Sequence, residues 1–424
     1  MAKDRANLAE EIHVFLRNSF RPKFGELRDN FPGDPIWQKM RQLGTELWLD
    51  TGNMDEAGKL WTRQFSALTT NNTLLNKEVQ TGRYDSLIGD VAKLLEPYQL
   101  DEKEQMLEIA FILNAWHGLR LVEKFDAFVS VEEHTDLADN VDSAISCAKR
   151  YHAVCPERFI VKIPFTPAGL LATRKVVREG ITVNHTLGFS ARQNYIIARR
   201  SNPNYVNVFL GRLNSFVKEN NLGDGSYIGE KATLASQAAI RKLRKQGKVQ
   251  TKQIGASFRE GEQIRDLAGI DVMTMPPKVA EQFKNLNLSP DRITDKTKAD
   301  YSVGVNNETD IEKAGLDTLW DIPDKLIKCV DDLEKENLDT ITADELVEFF
   351  AEHDCGDIVV KWSEEQIKTS TEEGKIPKLE NWKELLESQK VGLDAIMNLA
   401  GLNSFKTDQK AMDDKVRDVL NKTK

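Results

Sequence analysis

Lys162 stands inside the apolar run Phe159-Ile160-Val161-Lys162-Ile163-Pro164, where an ammonium has no ready access to water. Alternation along a strand puts Ile160, Lys162 and Pro164 on one face and Phe159, Val161 and Ile163 on the other. Strands of a parallel sheet are covered on both faces, and burial disfavours the charged form of an amine. An amine that can be neutral at physiological pH is the nucleophile of Schiff-base chemistry. The alternative is a lysine at a strand end that snorkels to solvent or pairs with Glu132. Other β-rich runs end on, or run into, side chains of the same kind: Asp50, Asn71, Glu132, Asn184, Thr186, Phe209 with Arg212 just beyond, and Ser257 with Arg259. Scattered over a surface these would mean little; gathered on one rim they would make a site.

Gathering them requires parallel strands in a ring. The β-rich runs cover residues 47–50, 65–70, 128–132, 159–164, 181–186, 205–210, 250–257 and 271–275. Between them lie segments such as EKEQMLEIAFILNAWHGLRLVEKF and GEKATLASQAAIRKLRKQGK, in which apolar residues recur at helical spacing. Strands alternating with helices suit a closed (β/α)8 TIM barrel, with an open doubly wound sheet as the rival. The first strand lacks a following Gly-rich phosphate loop, which favours the barrel. In a barrel every strand's C-terminal end faces the same rim.

This reading divides the chain into a helical N-terminal extension (1–45), a barrel (46–290) and a mainly helical C-terminal extension (291–424) ending in an amphipathic helix over about 395–422. A break is expected at FPGDP, and Thr342–Glu345 has the spacing of a capping box. The stretch DDLEKENLDTITADELVEF lacks the glycine and oxygen spacing of a calcium loop.

The formal charge of −9 over 424 residues argues against general affinity for nucleic acid, yet a few arginines in one pocket can still hold an anion. The four cysteines form no CxxC pair and the six histidines show no metal-ligand spacing, so no metal site and no disulfide framework are expected. No run is apolar for long enough to span a membrane, and the start of the chain reads as a helix, not a secretory signal. A cytoplasmic protein is the default expectation; a homo-oligomer is compatible with everything above.

The motifs VKIP, GLLA, GITVNHTLGFS, FLGR and IGASFR, with LWLDT, TTNNTLLNKE, FVSVE and GEKATLASQ, resemble in order those of the transaldolases, members of the class I (Schiff-base) aldolase group. Near the C-terminus GLNSFKTDQ resembles the closing helix of these enzymes. The resemblance implies that Lys162 forms the Schiff base with a ketose phosphate, and that Asp50 moves the proton of the C4 hydroxyl. Glu132, through a water held with Thr186, would move protons during carbinolamine dehydration. It further implies that Asn71 and Asn184 hold the hydroxyls of a dihydroxyacetone unit, and that Arg212, Ser257 and Arg259 bind the sugar phosphate. Phe209 would cover the enamine and keep water from it; with Glu132 it favours transfer over simple cleavage. No organic cofactor or metal is implied, since the lysine supplies the electron sink.

The chain departs from the family pattern in places. Asn207 stands where many transaldolases have serine, Val208 and Asn72 replace prolines, and VEEH replaces VEVD. Asn207 can still bond a substrate hydroxyl, with donor and acceptor preference left open. The expected activity is a transaldolase of the non-oxidative pentose phosphate route. Its expected donors are sedoheptulose 7-phosphate or fructose 6-phosphate, and its acceptors glyceraldehyde 3-phosphate or erythrose 4-phosphate. The alternatives are a fructose-6-phosphate-type aldolase, a transaldolase for a modified sugar, and a non-catalytic phosphosugar-binding scaffold.

Overall fold

In a computed structural model describing residues 3–27 and 30–423, eight parallel strands close a ring in sequence order. They are β1 (Glu46–Asp50), β2 (Phe65–Thr69), β3 (Phe128–Glu132), β4 (Phe159–Pro164), β5 (Val183–Thr186), β6 (Tyr205–Phe209), β7 (Lys252–Ala256) and β8 (Val272–Met275). β1 closes the barrel on β8, with Trp48 opposite Thr274. Each expected strand is present. The fifth and seventh are shorter than their apolar runs, because residues 181–182 and 250–251 lead in as coil. The Thr182 carbonyl still accepts from the Val161 amide at 2.9 Å, so the lead-in satisfies the ladder without joining it.

The interior is filled. Trp48, Ala67, Ile160, Ile254, Ala256 and Val272 pack as one buried cluster, the side-chain plug expected inside a barrel of this size. Ile160 belongs to this plug, and period-two alternation then sends Lys162, two residues on, to the same interior face nearer the rim.

Helices follow the strands, and several begin at the rim with side-chain caps. Asn71 Oδ1 accepts from the Leu74 amide, Thr166 Oγ1 from Gly169 and Ser190 Oγ from Gln193, at 2.8, 2.8 and 3.0 Å. Capped this way, the helices turn positive dipole ends toward the strand termini.

At the N-terminus, Asp34 caps the helix Pro35–Gln42, which explains the break at FPGDP. This helix sets Trp37 against Phe65 and Phe283, with ring centroids 5.3 and 5.2 Å apart. After the helix Pro277–Asn285 that follows β8, the chain runs on through the helices Asp324–Asp332, Ala343–Glu352, Glu364–Glu373, Leu379–Glu387 and Leu393–Thr423. Thr342 and Glu345 form the expected capping box. Leu326, Val330, Leu346 and Phe350 join one buried cluster with Leu170, Leu171, Ile196, Ile197 and Ile240 of the barrel helices, so the extension buttresses the outer ring. The four cysteines are free buried thiols. No helix among the described residues is long and apolar enough to cross a membrane.

Candidate active site

The strand register lays out the centre of the site. Glu132 on β3 pairs with Lys162 on β4, and Lys162 with Asn184 on β5, so the three side chains form one row across neighbouring strands. Lys162 is 3% exposed, with Nζ 3.4 Å from Glu132 Oε1 and donating to the Thr70 carbonyl at 3.2 Å. Both readings of this lysine are therefore partly met: it pairs with Glu132, but it does so without reaching solvent. Glu132 is as buried as its partner and accepts from the Asn72 amide at 2.9 Å. Burial pushes its carboxyl above the ordinary range, and the Lys162 charge offsets part of that rise.

Asp50 ends β1 opposite Thr69, whose hydroxyl donates to Oδ1 at 2.7 Å. Burial again lifts the carboxyl, against the pull of that hydrogen bond and of the Lys162, Arg259 and Lys77 charges. The site thus holds one amine and two carboxyls, and burial raises the proton affinity of both carboxyls above the ordinary range, the direction that favours proton exchange with a substrate.

Asparagines flank this centre. Asn184 Nδ2 donates to Ser130 Oγ at 3.1 Å, while its Oδ1 accepts from Asn207 Nδ2 at 2.6 Å. Asn207 also donates to the His185 carbonyl at 2.9 Å, which ties β5 to β6 at the level of the site. Asn71 commits its oxygen to the helix cap and keeps its amide nitrogen for other partners. The buried Thr186 hydroxyl has no partner within the protein, nor has Nη1 of Arg212. Buried polar atoms are nearly always paired, so unpartnered atoms at the rim suit a ligand.

The arginine-bearing side is built on a close approach of backbones. A Cβ at Gly211, in the FLGR motif, would run into the Ser257 carbonyl and lie 2.8 Å from Arg259 Cγ. Glycine there lets the start of the helix Leu210–Glu219 approach the turn after β7, so Arg212, Ser257 and Arg259 converge. Ser257 itself adopts φ +65°, a left-handed conformation uncommon for serine. Burial, then repulsion from Arg259, brings the Arg212 guanidinium down to about 10, still charged at neutral pH. Burial lowers Arg259 as well. Phe209 lies under this side, with the Arg212 Cζ 5.4 Å from its ring centre.

The terminal helix Leu393–Thr423 roofs the rim. Phe405 sets its ring 5.6 Å from Lys162 Nζ and 5.7 Å from Arg212 Cζ, and Asp408 accepts from Thr73 Oγ1. The helix is fastened at its start by a buried network. Arg192 donates to both oxygens of Asp394 at 2.8 and 2.6 Å and to Asp357 at 2.6 Å, and Ser190 donates to Asp394 at 2.6 Å.

The structure thus brings every residue singled out in the sequence to one rim. Sequence reasoning missed Thr69, Ser130, Phe405 and Asp408. The first two are small polar residues inside apolar runs; the last two stand in GLNSFKTDQ, a motif that pointed to the helix but to no residue on it. Glu133 was also passed over as an active group. It is buried beside Glu132 with no hydrogen-bond partner on either oxygen, and burial with the Glu132 charge pushes its carboxyl up to about 8.

Residues 47–319 match the family described as Transaldolase/Fructose-6-phosphate aldolase. A probable transaldolase of Dictyostelium discoideum is 27% identical over 288 residues, covering 66% of this chain and 87% of that protein. A transaldolase of Schizosaccharomyces pombe is 29% identical over 278 residues, covering 64% and 84%. A transaldolase of Prochlorococcus marinus is 28% identical over 271 residues, covering 62% and 78%.

Proposed function

Because the chain belongs to the transaldolase/fructose-6-phosphate aldolase family, we propose that it is a transferase that moves a dihydroxyacetone unit from a ketose phosphate to an aldose phosphate through a Schiff base on Lys162. One observation carries the reading: a lysine amine 3.4 Å from a carboxyl, both shut away from solvent at the rim where a barrel keeps its reacting groups.

In this mechanism the Lys162 amine adds to the C2 carbonyl of the donor, giving a carbinolamine. Glu132 supplies the proton that lets the C2 oxygen leave as water, with the Thr186 hydroxyl positioning the exchange, and an iminium remains. Asp50 takes the proton of the C4 hydroxyl, the C3–C4 bond breaks, and its electron pair moves into the iminium as an enamine. The shortened aldose phosphate leaves. An acceptor aldehyde then receives the C3 carbon, its oxygen takes the proton back from Asp50, and hydrolysis frees Lys162. Asn71, Asn184 and Asn207 hold the hydroxyls of the three-carbon unit, and Arg212, Ser257 and Arg259 hold the phosphate by charge-assisted bonds. Phe209 and Phe405 limit the water that reaches the enamine.

Sedoheptulose 7-phosphate and fructose 6-phosphate are the proposed donors, with glyceraldehyde 3-phosphate and erythrose 4-phosphate as acceptors, in the cytoplasmic non-oxidative pentose phosphate route. The family description also covers aldolases, so the deciding experiment compares products with and without acceptor. Sedoheptulose 7-phosphate formed from fructose 6-phosphate and erythrose 4-phosphate, with little free dihydroxyacetone in either case, is the expected result. Rapid release of dihydroxyacetone without acceptor would make the protein an aldolase instead.

A further inference from the structure

The family match stops at residue 319, yet the chain beyond it returns to the rim. Two sets of hydrogen bonds fix where. Asn403, on the turn of the terminal helix next to Phe405, donates to the Ile367 carbonyl at 3.3 Å. Asn220, at the end of the helix that carries Arg212, donates to the Pro377 carbonyl at 3.0 Å and accepts from the Leu379 amide at 2.7 Å. The segment between is therefore strung from the helix that roofs the site to the far end of the helix whose first turn carries Arg212. It turns at Gly374, whose φ of +80° and ψ of −135° suit glycine alone. The next residue is Lys375, which keeps contact with solvent.

Lys375 joins an unusual grouping. The charges that act on its ammonium are those of Asp408, Arg212, Lys77 and Arg259. Among the described residues, none of the four cations Lys77, Arg212, Arg259 and Lys375 has a carboxylate within 4.0 Å, although ion pairs are common elsewhere on the chain. Asp408 attracts Lys375 and Arg212 without forming an ion pair with either, so the mutual repulsion of these cations is only partly offset, and a multiply charged anion relieves the rest. Partial burial lowers the Lys375 ammonium, and the neighbouring cations add to this against the pull of Asp408.

We propose that Lys375, supplied by the C-terminal extension, is a third cationic residue of the sugar-phosphate subsite beside Arg212 and Arg259, and tunes the enzyme toward phosphorylated substrates. The proposal rests on the phosphosugar reading of the same site. A compact ammonium on a flexible stem suits it to a phosphate whose position is already set by the two guanidinium forks.

The test uses Lys375→Met and Lys375→Arg in the full chain, with inorganic phosphate as a binding probe and fructose 6-phosphate and fructose as donors. Loss of one charge-assisted contact weakens phosphate binding by calorimetry and raises KM for fructose 6-phosphate, each roughly tenfold. kcat, the melting temperature and kcat/KM for unphosphorylated fructose stay level, and Lys375→Arg restores most of the loss. Equal losses with both donors would make Lys375 merely structural and overturn the proposal, as would unchanged phosphate binding in Lys375→Met or none in the wild type. Calorimetry does not depend on turnover. Phosphate binding that needs Lys375 in a protein without transfer activity upholds the subsite and sinks the proposed reaction; active enzyme indifferent to Lys375→Met does the reverse.

Discussion

At the scale of single residues, the site is a set of groups whose proton affinities are moved by burial. Glu133 is the extreme case: its carboxyl is pushed from 4.5 to about 8 with no hydrogen bond to either oxygen. The folded protein therefore keeps a proton that the unfolded chain releases above pH 4.5, and stability falls as pH rises from 4.5 toward 8. At pH 7 the cost is on the order of 3 kcal/mol. Glu133→Gln cannot titrate, so its stability relative to wild type should climb between pH 5.5 and 8 and level off above, as measured by urea unfolding. A difference independent of pH would show that Glu133 is not held protonated. Sequence could not reveal this. Two adjacent glutamates at a strand end look alike, and only the fold decides that one meets an amine and the other meets nothing. Lys162 was legible for the opposite reason, since its misfit with an apolar strand is local.

At the scale of elements, the strand–helix alternation was legible because each apolar run and each helical stripe is long enough to set its own period. The rim followed from it, since parallel strands have no other way to end. What lay beyond local pattern was the return of the terminal helix over the site, which depends on charges far apart in sequence. Arg192 meets Asp357 and Asp394 in a pocket where Asp394 is fully buried. Breaking a buried pair on one side leaves an uncompensated charge and costs roughly 3–5 kcal/mol. Asp394→Ala should lower stability by that amount and expose residues 393–423 to limited proteolysis. It should also reduce kcat by loosening Phe405 over Lys162. A variant with wild-type stability and cleavage pattern would mean that the helix is held by its apolar face alone.

At the scale of the whole molecule, a net charge of −9 coexists with a rim where Lys77, Arg212, Arg259 and Lys375 gather. The overall balance argues against general affinity for nucleic acid but carries no information about one pocket, because charge sums ignore position. At 0.15 M salt the screening length is about 8 Å, so attraction reaching out from the rim is open to screening. KM for fructose 6-phosphate should rise several-fold between about 0.05 and 0.5 M salt, with kcat nearly constant. A KM insensitive to salt would place phosphate recognition in contacts too buried to be screened. The barrel, the buttressing extension and the roofing helix act together to hold one buried amine beside a carboxyl, where the proposed reaction brings a sugar carbonyl to it. Borohydride reduction of the protein with fructose 6-phosphate, followed by peptide mass analysis, tests this directly. The account predicts a reduced three-carbon adduct on the peptide containing Lys162, and none on Lys162→Met. An adduct on another lysine, or full turnover by Lys162→Met, would contradict it.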